Sequence, residues 1–378
     1  GGLFSKSMDT AHLIAPLQER IARSGLSDPR IAVLVSGGVD SSVVVHLLCT
    51  AGYRPTLFYI QIGMEERGFT DCSWEDDLEI VRHLARQYDC PLEVVSLHEE
   101  YWASVVQYTI DTVRRGLTPN PDMMCNKLIK FGCFEQKWGH EYDFIATGHY
   151  ATTTFVGEHL FLATAPDPVK DQTDFLAQIN FAQIRKLLFP SGHLLKSEVR
   201  AVAESAHLVS AGRKDSQGIC FLGKVNYNEF IERALGQKEG LIIERETGKI
   251  LGKHKGYWFH TIGQRKGLGI AAPQPLYVTA LDAVNNRVIV GTADAVYAQE
   301  LMASDLNWTM WDTLEEERTV QAKIRYGKRE ATARVMQQGD RVRVCFAEPQ
   351  RAVTPGQSVV FYENDIVLGG GIIDEVIA

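Results

Sequence analysis

Ile31-Ala32-Val33-Leu34-Val35-Ser36-Gly37-Gly38-Val39-Asp40-Ser41-Ser42 decides the fold class of this chain. The apolar run Ile31–Val35 is short enough to be a strand covered on both faces. Two glycines then turn the chain into an apolar helix over Ser42–Ala51, closed by Gly52. A strand, a glycine turn and a helix start in that order make an anion site. Without Cβ atoms at Gly37 and Gly38 a phosphate can approach the backbone, with N–H groups and the helix N-terminus aimed at it. Ser41 and Ser42 add hydroxyl donors. The pattern is neither G-x-x-x-x-G-K-[ST], whose lysine serves the outer phosphates, nor G-x-G-x-x-G.

Outward from this stretch, Leu57–Ile62, Leu92–Leu97 and Phe144–Thr147 read as further strands. Helices are expected around Leu78–Ala85 and over Tyr101–Val113. Alternation of this kind implies an α/β fold with a doubly wound, mainly parallel sheet and ligands at the carboxyl ends of its strands. An amphipathic N-terminal helix with Leu13, Leu17 and Ile21 on one face precedes it, giving a 1–30 extension and a 31–210 first domain. Helices over Ser197–Leu208 and Tyr227–Leu235 and a hairpin over Leu241–Gly252 suggest a small mixed central domain at 211–275. From Leu276 only short β-type runs remain, separated by Asn285-Asn286, Gln338-Gly339-Asp340 and Pro355-Gly356. They predict an antiparallel barrel over 276–378.

The 378 residues carry a net charge of −8, which argues against a surface basic all over. No apolar run reaches the roughly 18 residues a membrane helix needs, and a cytoplasmic protein is expected. The late β region still gathers Lys323, Arg325, Lys328, Arg329, Arg334, Arg341, Arg343 and Arg351. Arginine alternating with valine reads either as a phosphate-binding stripe or as the solvated face of strands.

Seven cysteines are scattered without a C-x-x-C pair, against a disulfide framework or a structural zinc, and no metal site of side chains is expected. Cys49 and Cys345 read as small buried hydrophobes. Cys125 and Cys220 differ: both sit in polar segments bearing proline or glycine, Asn120–Lys127 and Lys214–Phe221, with Lys127, Lys130, Lys214 and Lys224 nearby. Neighbouring lysines lower a thiol pKa and favour the reactive thiolate.

Ser-Gly-Gly-x-Asp-Ser after an apolar strand resembles the pyrophosphatase-type loop of enzymes that cleave ATP to AMP and pyrophosphate. Together with Asn120–Cys125, Ala146–Tyr150, Lys170-Asp171-Gln172, Gly218–Phe221, Gly263–Gly269 and Thr354–Gln357, it resembles the tRNA-specific 2-thiouridylase family from Ile31 to the C-terminus. The resemblance implies an adenine-nucleotide-hydrolase-like first domain that uses ATP and Mg²⁺. It implies replacement of the C2 oxygen of the wobble uridine, tRNA position 34, by sulfur. Adenylation would make O2 a leaving group, and a persulfide on Cys220, received from a donor or relay protein, would supply the sulfur. Cys125 would be the partner nucleophile, releasing sulfide or closing a Cys125–Cys220 disulfide, and Asp122 the acid/base candidate.

By the same resemblance Leu34, Val35, Ser36, Gly37, Gly38, Val39, Asp40, Ser41, Ile60 and Gly148 would bind the nucleotide. Asn120, Pro121 and Asp122 would line the target base, flipped out of the anticodon loop. His149, Lys170, Asp171, Gln172, Arg325, Tyr326 and Gln357 would contact tRNA, although His149 also reads as an ordinary half-buried histidine. Two rivals remain at this stage: another adenylating ligase or synthetase with the same loop, and a non-catalytic tRNA-binding sulfur carrier.

Overall fold

β1 (Ile31–Leu34) is buried at every residue, as a strand must be when both faces of its sheet are covered. The computed structural model describes residues 2–62, 74–215, 227–327 and 330–377. They fall into two compact units, one of residues 1–102, 125–224 and 365–367, the other of 103–124, 225–364 and 368–378.

In the first unit β1 lies at the middle of a five-stranded parallel sheet. With β2 (Thr56–Gln61), β3 (Leu92–Ser96), β4 (Phe144–Ala146) and β7 (Leu187–Leu188) the order is β3-β2-β1-β4-β7. The first four strands are those expected from the apolar runs. β7, two residues long, and the hairpin β5 (Thr152–Val156)–β6 (His159–Ala163) carry too little pattern to be read in advance. α2 (Val39–Thr50) leaves β1 through the glycine turn, and Val43, Val44 and Val45 are all buried. A helix apolar all round must be covered all round. α1 (Gly2–Ala22) supplies part of the cover: Ile14, Leu17 and Ile21 join one core with α2, β1 and α3 (Trp74–Tyr88). Arg23 stacks over Phe155 at 3.6 Å, and Arg20 donates to the Arg185 carbonyl at 2.8 Å.

The second unit holds two sheets. Four strands, β8 (Gly240–Glu244), β9 (Ile250–His254), β10 (Tyr277–Asp282) and β11 (Arg287–Gly291), pair in the order β10-β11-β8-β9. β10 and β11 were expected to open the terminal barrel. Instead β11 runs parallel to β8, so a boundary at 275/276 cuts through this sheet. Likewise residues 103–124, expected inside the first domain, cluster with the second unit.

The barrel itself comprises β12 (Tyr297–Trp308), β13 (Arg318–Lys323), β14 (Ala331–Gln338), β15 (Arg341–Arg351), β16 (Ser358–Glu363) and β17 (Ile366–Ile377). The order is β12-β15-β14-β13-β16-β17, and β12 pairs back onto β17, which closes it. Closure removes the open edges an antiparallel sheet would otherwise present. Along β15 Val342, Val344 and Phe346 face in while Arg341, Arg343 and Cys345 alternate outward, the period-two pattern seen in the sequence.

Candidate active site

No side chain caps the N-terminus of α2, where Gly38 stands in extended backbone before Val39. Helix starts leave N–H groups that some acceptor must take. Around them the loop is preformed: Ser36 N–H donates to Ser41 Oγ at 3.1 Å, and Gly38 N–H to Ser36 Oγ at 3.2 Å. Gly37 adopts φ +84°, and a Cβ there would meet Asp77 at 2.9 Å. Gly148, just past β4, lies against the same turn; a Cβ would come within 2.9 Å of Ser41 N. The two glycines let the turn pack closely, Gly37 against Asp77 and Gly148 against the Asp40–Ser41 backbone. Leu34 and Val35 are buried beneath the loop, and Ile60 is half-buried on β2.

Asp40, in the first turn of α2, is held on two sides. Lys196 Nζ reaches its Oδ1 at 2.7 Å, and the Tyr150 hydroxyl donates to the same oxygen at 2.7 Å. Lys196, with its side chain 12% exposed, also contacts Asp215 at 2.6 Å. Asp215 in turn binds Lys170 at 2.7 Å. Burial raises the pKa of Asp215, but hydrogen bonds from Lys170 and Lys196 outweigh it and bring the group down to about 2. Burial, and then the Asp40 carboxylate, push the Tyr150 phenol far above its usual range, so it stays a donor. Arg213 closes the far side, donating to the Gly37 carbonyl at 2.9 Å and pairing with Asp77 at 2.7 Å.

Lys170, Asp171 and Gln172 lie in this unit, but their side chains serve it internally. Asp171 is buried, accepting from Ala165 N–H and from the Thr173 hydroxyl. Gln172 Oε1 accepts from Tyr150 N–H at 3.0 Å. His149 packs among Phe131 and Phe189, with Nδ1 2.7 Å from Thr147 Oγ1. Burial, then Lys130, drive its pKa well below the usual value, so it is neutral at physiological pH.

The segment around Cys125 is not the loop expected from its prolines. Pro121–Cys125 is a short helix running straight into a π-helical stretch, Asn126–Cys133. Pro121 takes the first helical position, where its missing N–H costs nothing, and Asn120 Oδ1 accepts Met123 N–H at 3.3 Å as the N-cap. Asp122 and Cys125, three residues apart, share a helix face. Cys125 is 3% exposed, and Lys127 extends to Gln178 Oε1 at 3.5 Å. Cys220 lies outside the described residues, and so does its approach to Cys125.

In the second unit, blocks far apart in sequence meet. Gln357 Nε2 donates to the Pro119 carbonyl at 2.7 Å and to that of Thr118 at 3.2 Å, while Thr118 N–H donates to Pro355 O. Asn120 N–H donates to the Tyr108 hydroxyl. Gln357 therefore fixes the approach to Asn120 and Asp122. Arg325 donates to the Arg351 carbonyl at 3.0 Å, and Arg351 to that of Gly263 at 3.3 Å. Burial, then Arg351, lower the pKa of Arg325. Tyr326 is exposed, 5.9 Å beneath the Lys323 ammonium. The rest of the basic stripe is matched within the chain: Arg334 with Glu317, Arg341 with Asp374 and Glu375, Arg343 with Glu300. Lys328 and Arg329 lie outside the described residues.

Three family models cover the chain: a tRNA methyl transferase HUP domain over residues 29–224, a tRNA methyl transferase PRC-barrel domain over 228–292, and an aminomethyltransferase β-barrel domain over 298–373. A tRNA-specific 2-thiouridylase MnmA of Porphyromonas gingivalis is 56% identical over 357 residues, 91% of this chain and 98% of that protein. The chain belongs to the tRNA-specific 2-thiouridylase family. A 2-thiouridylase MnmA of Parabacteroides distasonis is also 56% identical, over 355 residues, 91% of this chain and 99% of its own length. Among solved structures an NMN synthetase from Francisella tularensis aligns with TM-score 0.35 at 14% identity, covering 58% of this chain and 79% of that one.

For a 2-thiouridylase-family protein, the sequence reading passed over Lys196, Asp215, Tyr150 and Arg213 as site residues. One of them left a local trace. Lys196 opens the helix Lys196–Ser205, a position where a cation opposes the helix dipole. Its reason lies in Asp40, 156 residues earlier.

Proposed function

We propose that this protein thiolates C2 of the wobble uridine of tRNA, spending ATP to adenylate O2 and releasing AMP and pyrophosphate. The observation that carries the reading is the 56% identity over 91% of the chain to relatives named tRNA-specific 2-thiouridylase. The uncapped start of α2 beside Gly37 and Gly148 supports ATP as co-substrate, since it would take the departing phosphates. Lys196 would follow their charge as pyrophosphate leaves. Mg²⁺ would be held through the carboxylate of Asp40 and would neutralise charge on the leaving group.

In this scheme the uridine O2 bonds to the α-phosphorus as the bond to pyrophosphate breaks. The terminal sulfur of a Cys220 persulfide adds to C2, and O2 departs with AMP. Cys125 thiolate then attacks Cys220 Sγ, the persulfide S–S bond breaks toward the base, and a Cys125–Cys220 disulfide remains for a thiol reductant to reopen. Asp122, one helical turn from Cys125, would move protons at the base. Asn120 and Pro121 would line the base; His149, Lys170, Asp171 and Gln172 in the first unit, and Arg325, Tyr326 and Gln357 in the second, would each make or brace a contact to tRNA. A persulfide donor protein and a cytoplasmic setting belong to the same reading. Among the described residues no helix is long and apolar enough to cross a membrane.

The test is mass spectrometry of nucleosides from unmodified tRNA incubated with protein, ATP, Mg²⁺ and a persulfide sulfur donor. Thiolated wobble uridine is expected with the wild type and not with Cys220→Ser. Unchanged uridine, under conditions where both ATP and tRNA bind, would sink the proposal. AMP formation that persists undiminished in Cys220→Ser without tRNA would favour a small-molecule ligase.

A further inference from the structure

Two thiols outside the site just described lie against each other. Cys49, in the last turn of α2, has its Sγ 3.7 Å from that of Cys90, in the short connection between α3 and β3. Both belong to the first unit and both are reduced. We infer that Cys49 and Cys90 form a reversible thiol–disulfide pair, an oxidation site for small hydroperoxides separate from the cysteines of the proposed sulfur transfer. The inference does not depend on that transfer.

Access, reactivity and geometry all favour closure. Cys49 is half-exposed, so a small oxidant reaches the pair, whereas Cys90 is 7% exposed and protected from larger reagents. The Cys49–Cys90 contact lowers the Cys90 pKa despite burial, and the Arg54 guanidinium adds to the effect while Asp89 opposes it. The same contact raises Cys49. Two sulfurs thus stand 3.7 Å apart, one of them favoured toward the thiolate that thiol exchange needs. The flanking backbone is fixed: Cys90 N–H donates to Ala85 O at 2.9 Å, and Arg54 Nε to Asp89 O at 2.6 Å. Closure draws the sulfurs from 3.7 Å to about 2 Å apart.

The chemistry balances. Cys90 thiolate attacks one peroxide oxygen, the O–O bond breaks, and a sulfenic acid and one water result. Cys49 sulfur attacks the sulfenic sulfur, the S–O bond breaks, and a second water leaves. Two thiols have lost two electrons and two protons, and the peroxide has taken both. A dithiol reductant reverses the step. The cross-link joins the C-terminal end of the helix whose other end carries the phosphate loop to the end of α3.

The experiment treats the whole protein with equimolar hydrogen peroxide, then denatures and alkylates it with N-ethylmaleimide, and maps peptides without reduction. A Cys49–Cys90 linked peptide is expected, with alkylation of both residues at least tenfold lower than in the untreated protein and recovered after dithiothreitol. Cys49→Ala should abolish the linked peptide. The wild-type map decides the matter even where that variant fails to fold, and Cys90→Ala offers a second control. Full alkylation of both cysteines after peroxide, or sulfinic acid at Cys90 without the linked peptide, would overturn the inference.

Discussion

Lys196 contacts one carboxylate at the phosphate turn and another, Asp215, at the entry to the segment that carries Cys220. Losing its charge leaves Asp40 and Asp215 without their shared cation beside the proposed phosphate site. Lys196→Met should lower kcat/KM for thiolation by about 100-fold, the scale of one electrostatic group at a developing charge. tRNA affinity measured by filter binding should stay within about twofold. Asp215 sets a pH dependence whose sign follows from its lowered pKa. Its contribution to stability is full above the ordinary value of 3.8 and is lost as pH falls through about 2. Acid-unfolding curves of wild type and Asp215→Asn should therefore be separated above pH 4 and converge near pH 2. At this scale the sequence was legible where chemistry is local. Ser36–Ser41 announces itself because strand, glycines and helix are adjacent; Lys196 does not, because its partner lies 156 residues away and its only local trace is a cation at a helix start.

Elements show the same division between local and distant causes. α1 was legible as an amphipathic helix, and its face Ile14, Leu17, Ile21 is part of the core beneath α2. Ile21→Ala should cost about 3 kcal/mol, read by urea denaturation, because a fully buried branched side chain leaves a cavity. The short helix Pro121–Cys125 was not legible: Pro119 and Pro121 look like loop residues until Asn120 is seen capping a turn that Pro121 begins. The connection before that helix leans on Gln357. Gln357→Ala removes the donor to two carbonyls, and should cost about 1–2 kcal/mol and speed amide exchange around 118–124. Exchange in the barrel should be unaffected.

Over the whole molecule, the net charge of −8 and the basic stripe are reconciled by internal pairing. Arg341, Arg343 and Arg334 meet acids of their own barrel, so this part of the stripe is a solvated face. Arg325 and Arg351 stand instead on backbone carbonyls, with charge left for a phosphate. Arg325→Ala should reduce the slope of log K against log salt for tRNA by about 1, whereas Arg341→Ala should leave it unchanged. A barrel of short strands was legible from turn spacing. The assignment of Tyr277–Asp282 and Arg287–Gly291 to it was not, because a strand's pattern states which face is buried and not which strand lies beside it.

Neither unit is one continuous stretch of chain. The first is finished only by residues 365–367, and the second takes in 103–124 before its main body begins at 225. On a ribosome, where chains emerge N-terminus first, the parallel sheet can form early but its unit cannot be completed until nearly the whole chain has been made. The emerging 103–124 segment must wait more than a hundred residues for its partners. Contacts of such long range slow folding, and a bicistronic split at 224/225 would force each half to borrow structure from the other.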